Sequence, residues 1–239
     1  MTEQLYRADA YLEACDATVV DVTAAGGIVL DRTVFYATAG GQLGDTGRLE
    51  IAGTACPIAN TVYEADKATI AHLPAAGSAL PQPGQSVRAV LDWPRRHRLM
   101  RMHTCLHLMC ALLKFPVTGG QVGPDEGRLD FDIEDASGID KDRLTADLMA
   151  LVAADHPVGE RWITDAELDA NPGLVRTMAV KPPRGSGRIR LVAIGADGAV
   201  DLQPCGGTHV RRTGEIGPVA VTKIEKKGKL NRRFRVAFV

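Results

Sequence analysis

At Asp92-Trp93-Pro94 the sequence changes its period, and that switch constrains the fold more than any other feature. Upstream, short runs dense in Val, Ile, Thr and aromatics (18–22 and 28–36) are separated by the turn pair Gly26-Gly27. Glycine breaks follow at 40–41, 44, 47 and 53, and Pro81-Gln82-Pro83-Gly84 precedes the alternating segment 86–91. Regularly spaced strands with glycine turns predict a small barrel. Downstream, a capping Asp and an early Pro open a helix with 3.6-residue apolar spacing, predicted to run to about Lys114 and stopped by Pro116. The domain boundary is placed here, giving a glycine-rich β-barrel over 1–92 and a second domain over 93–239.

The second domain mixes the two periods. A strand is predicted over 127–133, then a helix over 140–155 with Leu144, Leu148, Leu151 and Val152 on one face, then a short segment 164–170. Strands 188–194 and 199–202 flank the turn Gly195-Ala196-Asp197-Gly198, and 216–225 pairs with 232–239 across Lys226-Lys227-Gly228-Lys229. The class is α+β behind a β-barrel.

With 239 residues, 45% hydrophobic and 24% charged, the chain is globular, and disorder is excluded. No apolar run reaches the roughly 18–20 residues that a bilayer span requires, and the first sixteen residues are too acidic and polar for a signal peptide. A cytoplasmic protein is expected, with no membrane and no obligate protein partner. Five cysteines at 15, 56, 105, 110 and 205 are odd in number and irregular in spacing, which favours reduced thiols or metal ligands over a disulfide framework. The net charge of −1 hides an asymmetry: residues 211–235 carry +7, leaving −8 for the remainder. A concentrated basic end on an acidic body suits a polyanion, and a solvated lysine-rich hairpin is the plainer alternative.

His103 and His107 lie four apart on the predicted helix, so both rings project from one face. They fall within the apolar stripe Leu99, Met102, Leu106, Cys110 and Leu113, which turns them inward, where they require partners. Core histidines bonded to carbonyls would satisfy that requirement equally well. The turn Cys205-Gly206-Gly207-Thr208-His209 supplies a second pair, and its glycines are expected to let the backbone fold back so that thiolate and imidazole address one ion. Three imidazoles and one thiolate form a zinc set and argue against magnesium or calcium. Cys110, on the same helix face, is a rival ligand whose alternative role is packing, and Cys105 is assigned to packing. Four protein ligands normally close a structural site, whereas catalysis needs an open position. The helix lacks the Glu of HExxH, so a peptidase arrangement is not supported, and a reactive ester is a better substrate than an amide.

The helix RLMRMHTCLHLMCALL and the loop DLQPCGGTHVRRTGEIG resemble the HTxxH and CGGTH motifs of the alanyl-tRNA synthetase editing domain and of the free-standing alanyl-tRNA editing proteins of AlaX type. The stretch Phe35-Tyr36-Ala37-Thr38-Ala39-Gly40-Gly41-Gln42-Leu43-Gly44-Asp45-Thr46-Gly47 resembles the signature of their preceding barrel, with Ala37 where the family usually has Pro and Ala39 where Gly or Ser is common. Threonyl-tRNA synthetase editing domains share the His and Cys/His spacing, so the glycine-rich signature points to the alanyl branch.

The resemblance implies a zinc-containing α+β editing domain of the threonyl/alanyl-tRNA synthetase type behind the barrel. It implies a deacylase, acting in trans, that hydrolyses the ester of mischarged alanine tRNA: Ser-tRNA(Ala) first, and Gly-tRNA(Ala) with it. Carried over by position, His103, His107, Cys205 and His209 become ligands of Zn2+. Gln121 and Thr104 become catalytic candidates, and Gly40, Gly41, Gln42 and Thr208 substrate contacts. Local hydrogen bonds, caps and a tight barrel turn are the plainer roles for these residues. Arg211, Arg212, Lys226, Lys227, Lys229, Arg232 and Arg233, with Arg95, Arg96, Arg98 and Arg101 ahead of the ligand helix, are expected to grip tRNA phosphates. A pocket built for alanine excludes glycine and serine only weakly, which makes a second sieve useful. A zinc-stabilised RNA-binding module without turnover and a zinc esterase for small molecules are the competing readings.

Overall fold

The computed structural model describes residues 2–178 and 187–239. The chain divides into two compact units, Met1–Arg98 and Leu99–Val239. The division falls inside the helix that begins at Trp93 rather than at its start, because the first turns of that helix are bonded into the first unit: Arg95 Nη1 donates to Gly44 O at 2.8 Å and Arg96 to Asp45 and Val34. Among the described residues no helix is long and apolar enough to cross a membrane.

In the first unit, β1 (Glu3–Gln4) and β4 (Arg32–Thr33) form a short parallel pair. The remaining strands are β2 (Ala14–Val22), β3 (Ile28–Leu30), β5 (Gly47–Ile51), β6 (Thr54–Tyr63), β7 (Ile70–Pro74) and β8 (Ser86–Leu91). They close a barrel in the order β2-β3-β7-β6-β5-β8 with every pairing antiparallel, so the barrel leaves no edge unpaired. Alternation fills the interior: Val87, Ala89 and Leu91 of β8 point in, joining Val19, Ile28, Leu30, Leu49 and Ile58. The run 28–36, expected as one strand, is divided. Asp31 Oδ1 accepts from Thr18 N at 2.7 Å and from Arg32 N at 2.9 Å, which ends β3, and a loop then brings Val34 and Phe35 into the core.

The helix α1 (Trp93–Leu113) ends one residue short of Lys114. In the second unit it is not amphipathic as expected: every residue from Met102 to Cys110 is buried, on all faces. A helix segment buried on every face must find partners for its polar side chains, here His103, Thr104 and His107. A four-stranded antiparallel sheet runs β14-β15-β10-β9, built from β9 (Val117–Val122), β10 (Glu126–Asp132), β14 (Val219–Lys226) and β15 (Asn231–Phe238). The helix α2 (Lys141–Ala153) is capped by Asp140, buries Leu144, Leu148 and Val152, and takes the Val221 N–H onto Thr145 Oγ1 at 3.1 Å, beside a register shift between Val221 and Lys223. The second sheet, three-stranded, joins β11 (Val158–Ile163), β12 (Ile189–Ile194) and β13 (Asp201–Pro204), and α3 (Asp165–Ala170) follows β11 with a Thr164/Glu167 capping box.

Candidate metal and active site

Helix geometry sets His103 and His107 one turn apart, their ring centroids separated by 5.3 Å. The turn after β13 brings Cys205 and His209 to the same place. The His209 ring lies 4.3 Å from that of His103 and 4.7 Å from that of His107. Cys205 Sγ is 3.3 Å from His209 Nε2 and 3.6 Å from His103 Nε2. One donor atom from each of the four residues lies within 4.8 Å of every other. Cys110 stands outside this group, its thiol raised to about 12 by burial and then by Asp201; Cys105, also buried, is raised to about 12 as well.

Three of the four, His209, His107 and Cys205, are fixed by groups behind them. Thr104 Oγ1 donates to Met100 O at 2.9 Å and accepts from His209 Nδ1 at 3.2 Å and Val210 N at 3.3 Å, which uses its hydrogen-bonding capacity in full. His107 Nδ1 donates to Asp201 Oδ2 at 2.9 Å. The cysteine turn is shaped from β12: Arg190 Nη1 donates to Cys205 O at 2.8 Å and to Gly207 O at 3.0 Å, and Glu160 holds the other end of the guanidinium at 2.6 Å. Gly207 N–H points at Cys205 Sγ from 3.4 Å. Neither Gly206 nor Gly207 adopts positive φ, and a Cβ at Gly206 would meet nothing within 4 Å, so the fold-back expected of these glycines comes instead from Arg190.

The electrostatics suit a cation at the centre. Burial alone would raise the Cys205 thiol, yet His103 and His209 bring it well below its ordinary value. Burial alone would lower His107, yet the Asp201 bond and the Cys205 sulfur lift it to about 9. His209 is held well below its usual value by burial and by the neighbouring His103. Three imidazole nitrogens and one low-pKa thiol, converging at ligand distances, fit zinc.

The other sequence candidates are distributed as follows. Thr208 lies within the turn and is buried. Gln121 is exposed on β9, where its Oε1 accepts from Arg128 Nε at 3.3 Å. In the first unit, Gly40 and Gly41 take positive φ in a tight turn closed by Ala39 and Gln42, and Gln42 is fully buried. Two of the arginines expected at phosphates are structural. Arg96 is fully buried and bonded to Asp45, Val34 O and Ala10 O. Arg232 is buried beside the turn of the β14–β15 hairpin, where four carbonyls (Gly228, Lys229, Asn231 and Glu134) engage its guanidinium. Arg233 is held by Asp130 at 2.7 and 2.8 Å, Arg212 by Asp155 at 2.6 Å, and Arg101 by Ile216 O at 2.9 Å. Lys226, Lys227, Lys229 and Arg211 are exposed.

Sequence reasoning missed Asp201, Gln203 and Arg190. For the first two a signal existed: β13 alternates buried and half-buried, and its two buried positions, Asp201 and Gln203, are both polar. Buried polar residues on one strand face imply a partner to be satisfied.

Comparison with known proteins agrees with this layout. The model described as "Threonyl and Alanyl tRNA synthetase second additional domain" matches residues 189–235, which include the cysteine turn, and that of "tRNA synthetases class II (A)" matches 12–95. The alanyl-tRNA editing protein AlaX-M of Methanosarcina acetivorans is 34% identical over 98% of this chain and 97% of its own length. The AlaX-M protein of Saccharolobus solfataricus is 30% identical, with 98% and 97% covered. The alanine–tRNA ligase of Pyrobaculum calidifontis is 34% identical over 94% of this chain but only 25% of its own length. With its buried His/Cys cluster, its glycine-rich barrel and relatives matched end to end, the chain belongs to the family of alanyl-tRNA editing proteins of AlaX type.

Proposed function

We propose that the protein is a trans-editing hydrolase that deacylates mischarged alanine tRNA, releasing serine and, as a second substrate, glycine, with zinc held by His103, His107, Cys205 and His209. The observation that carries the reading is the convergence of those four donors within 4.8 Å of one another in a buried setting. Relatives named as alanyl-tRNA editing proteins, spanned along almost their whole length, support the substrate and the action in trans. When bound, zinc supplies Lewis-acid chemistry, withdrawing charge from an ester carbonyl and lowering the pKa of water.

The chain's own residues define the rest. Thr104 holds the His209 ring through Nδ1, and Arg190 fixes the turn that carries the thiolate. Thr208 is assigned a substrate contact, Gln121 the orientation of substrate or water, and the exposed Lys226, Lys227, Lys229 and Arg211 the phosphates. A polar contact satisfied by the serine hydroxyl and left unpaired by alanine provides the discrimination that editing needs.

The test is release of amino acid from serine-, glycine- and alanine-charged alanine tRNA, with and without a chelator. Chelator-sensitive release of serine with alanine spared is the expected outcome, and Cys205→Ala is expected to lose both metal and activity. The closed four-donor set favours one other reading, a zinc-stabilised RNA-binding module; tight tRNA binding without any turnover would establish it.

A further inference from the structure

Behind the His107 ring lies a carboxylate that neither ligand motif contains. Asp201 is 2% exposed and sits on β13, four residues ahead of Cys205. Its Oδ2 accepts from His107 Nδ1 at 2.9 Å and from Gln203 Nε2 at 2.7 Å, and its Oδ1 lies 3.7 Å from Arg176 Nε. Both hydrogen bonds fall on Oδ2, from His107 and from Gln203, while Oδ1 has Arg176 only at ion-pair distance and accepts no hydrogen bond. Because a carboxylate only accepts, His107 must carry a proton on Nδ1, which leaves Nε2 as the nitrogen that would donate to a metal.

We propose that Asp201 is the positioning residue for this site: it fixes the tautomer and the rotation of His107 so that Nε2 faces Cys205 and His209, and Gln203 in turn fixes Asp201, with the Arg176 charge beside it. The inference rests on the reading of the cluster as a metal site given above. A buried anion hydrogen-bonded to a ligand imidazole makes that nitrogen more basic and restricts its motion, and such partners are worth about 10–100-fold in metal affinity. The position of Asp201 also links the two halves of the ligand set, since β13 runs from this carboxylate directly into the Cys205 turn while its side chain grips the helix.

The test is zinc affinity by competition with a chromophoric chelator for the wild-type chain and for Asp201→Asn, Asp201→Ala and Gln203→Ala. The visible spectrum of the cobalt-substituted proteins and the thermal unfolding of the metal-free proteins complete the set. Asp201→Asn, which keeps the volume and loses the charge, is expected to bind zinc about 10-fold more weakly and to change the cobalt spectrum, with Asp201→Ala weaker still. Gln203→Ala is expected to shift affinity in the same direction by less, and it carries the test if an Asp201 variant does not fold. Wild-type affinity and spectrum in these variants, or a lower unfolding temperature with affinity unchanged, would overturn the role of Asp201 and leave the metal site standing. A wild-type chain that binds no zinc would overturn both.

Discussion

Arg96 and Asp45 form an ion pair from which water is excluded, their side chains being 0% and 1% exposed. Besides the carboxylate, Arg96 bonds Val34 O at 2.7 Å and Ala10 O at 3.0 Å, and Asp45 accepts from Tyr36 N at 2.6 Å. Removing one partner leaves the other charge stranded in a buried place. Asp45→Ala is expected to destabilise the protein by about 3–5 kcal/mol, measured by urea unfolding. A loss under about 1 kcal/mol, the range of exposed pairs, would mean that water reaches Arg96.

His72 gives the barrel a dependence on pH. Its Nδ1 donates to Ile28 O at 2.9 Å, its Nε2 accepts from Thr33 Oγ1 at 2.8 Å, and Thr33 Oγ1 accepts from Phe35 N at 3.0 Å. Burial lowers this imidazole to about 4, and the bond to Ile28 O offsets that only in part. Between pH 6.5 and about 4 the unfolded chain therefore takes up a proton that the folded chain refuses. The stabilisation is complete above pH 6.5 and is lost as the pH falls. The wild type is expected to lose about 3 kcal/mol more than His72→Gln across this window, and parallel stability curves for the two proteins would rule the effect out.

Two glycines of the barrel loop separate space from conformation. A Cβ at Gly44 would lie 2.0 Å from Thr61 O, a contact with main chain that cannot turn aside. Gly40 has nothing within 4 Å but takes φ +56°. Gly44→Ala is expected to cost about 3 kcal/mol or to prevent folding, and Gly40→Ala about 1–2 kcal/mol from the left-handed backbone alone. Thermal unfolding of the pair checks the order, and equal losses would contradict it.

Thr104 separates a structural from a catalytic role. Thr104→Val keeps the shape but removes the acceptor for His209 Nδ1 and Val210 N. A stability loss of about 1–3 kcal/mol together with weaker zinc binding is the expected result. Reduced kcat/KM with stability and zinc binding both at wild-type levels would instead put its hydroxyl on the substrate.

The basic hairpin separates fold from phosphate binding. Changing Lys226, Lys227 and Lys229 together to Ala is expected to weaken tRNA binding and to reduce the salt slope by about 1 for each phosphate no longer neutralised, with unfolding unchanged. Arg232→Ala should instead lower stability, since its guanidinium ties four carbonyls together. Binding measured across a salt series distinguishes the two.

Much of this architecture was legible in the sequence because it depends on local periodicity. The opening of α1, the span of α2 and the last hairpin all lie close to where spacing and turn chemistry put them. The strand β11 was missed because only its end residues are even half-buried, so no alternation marks it. The strand β9 was missed because Gly119-Gly120 reads as a break. In the fold those glycines lie against Asp130 and Leu129 of β10, where a Cβ at Gly120 would stand 3.0 Å from the Leu129 side chain. The two pairs that make up the cluster, His103/His107 and Cys205/His209, were visible as spacings. Their supporting residues were not, because Asp201 and Arg190 act on α1 and on the cysteine turn through bonds that only the folded chain creates.

Because Arg190 grips the main chain at Cys205 and Gly207 from a neighbouring strand, the pentapeptide that ends in His209 is no portable cassette. Transplanted alone into another scaffold it would keep its donor atoms and lose its curvature. A successful graft would have to bring along the arginine and the glutamate that steadies it.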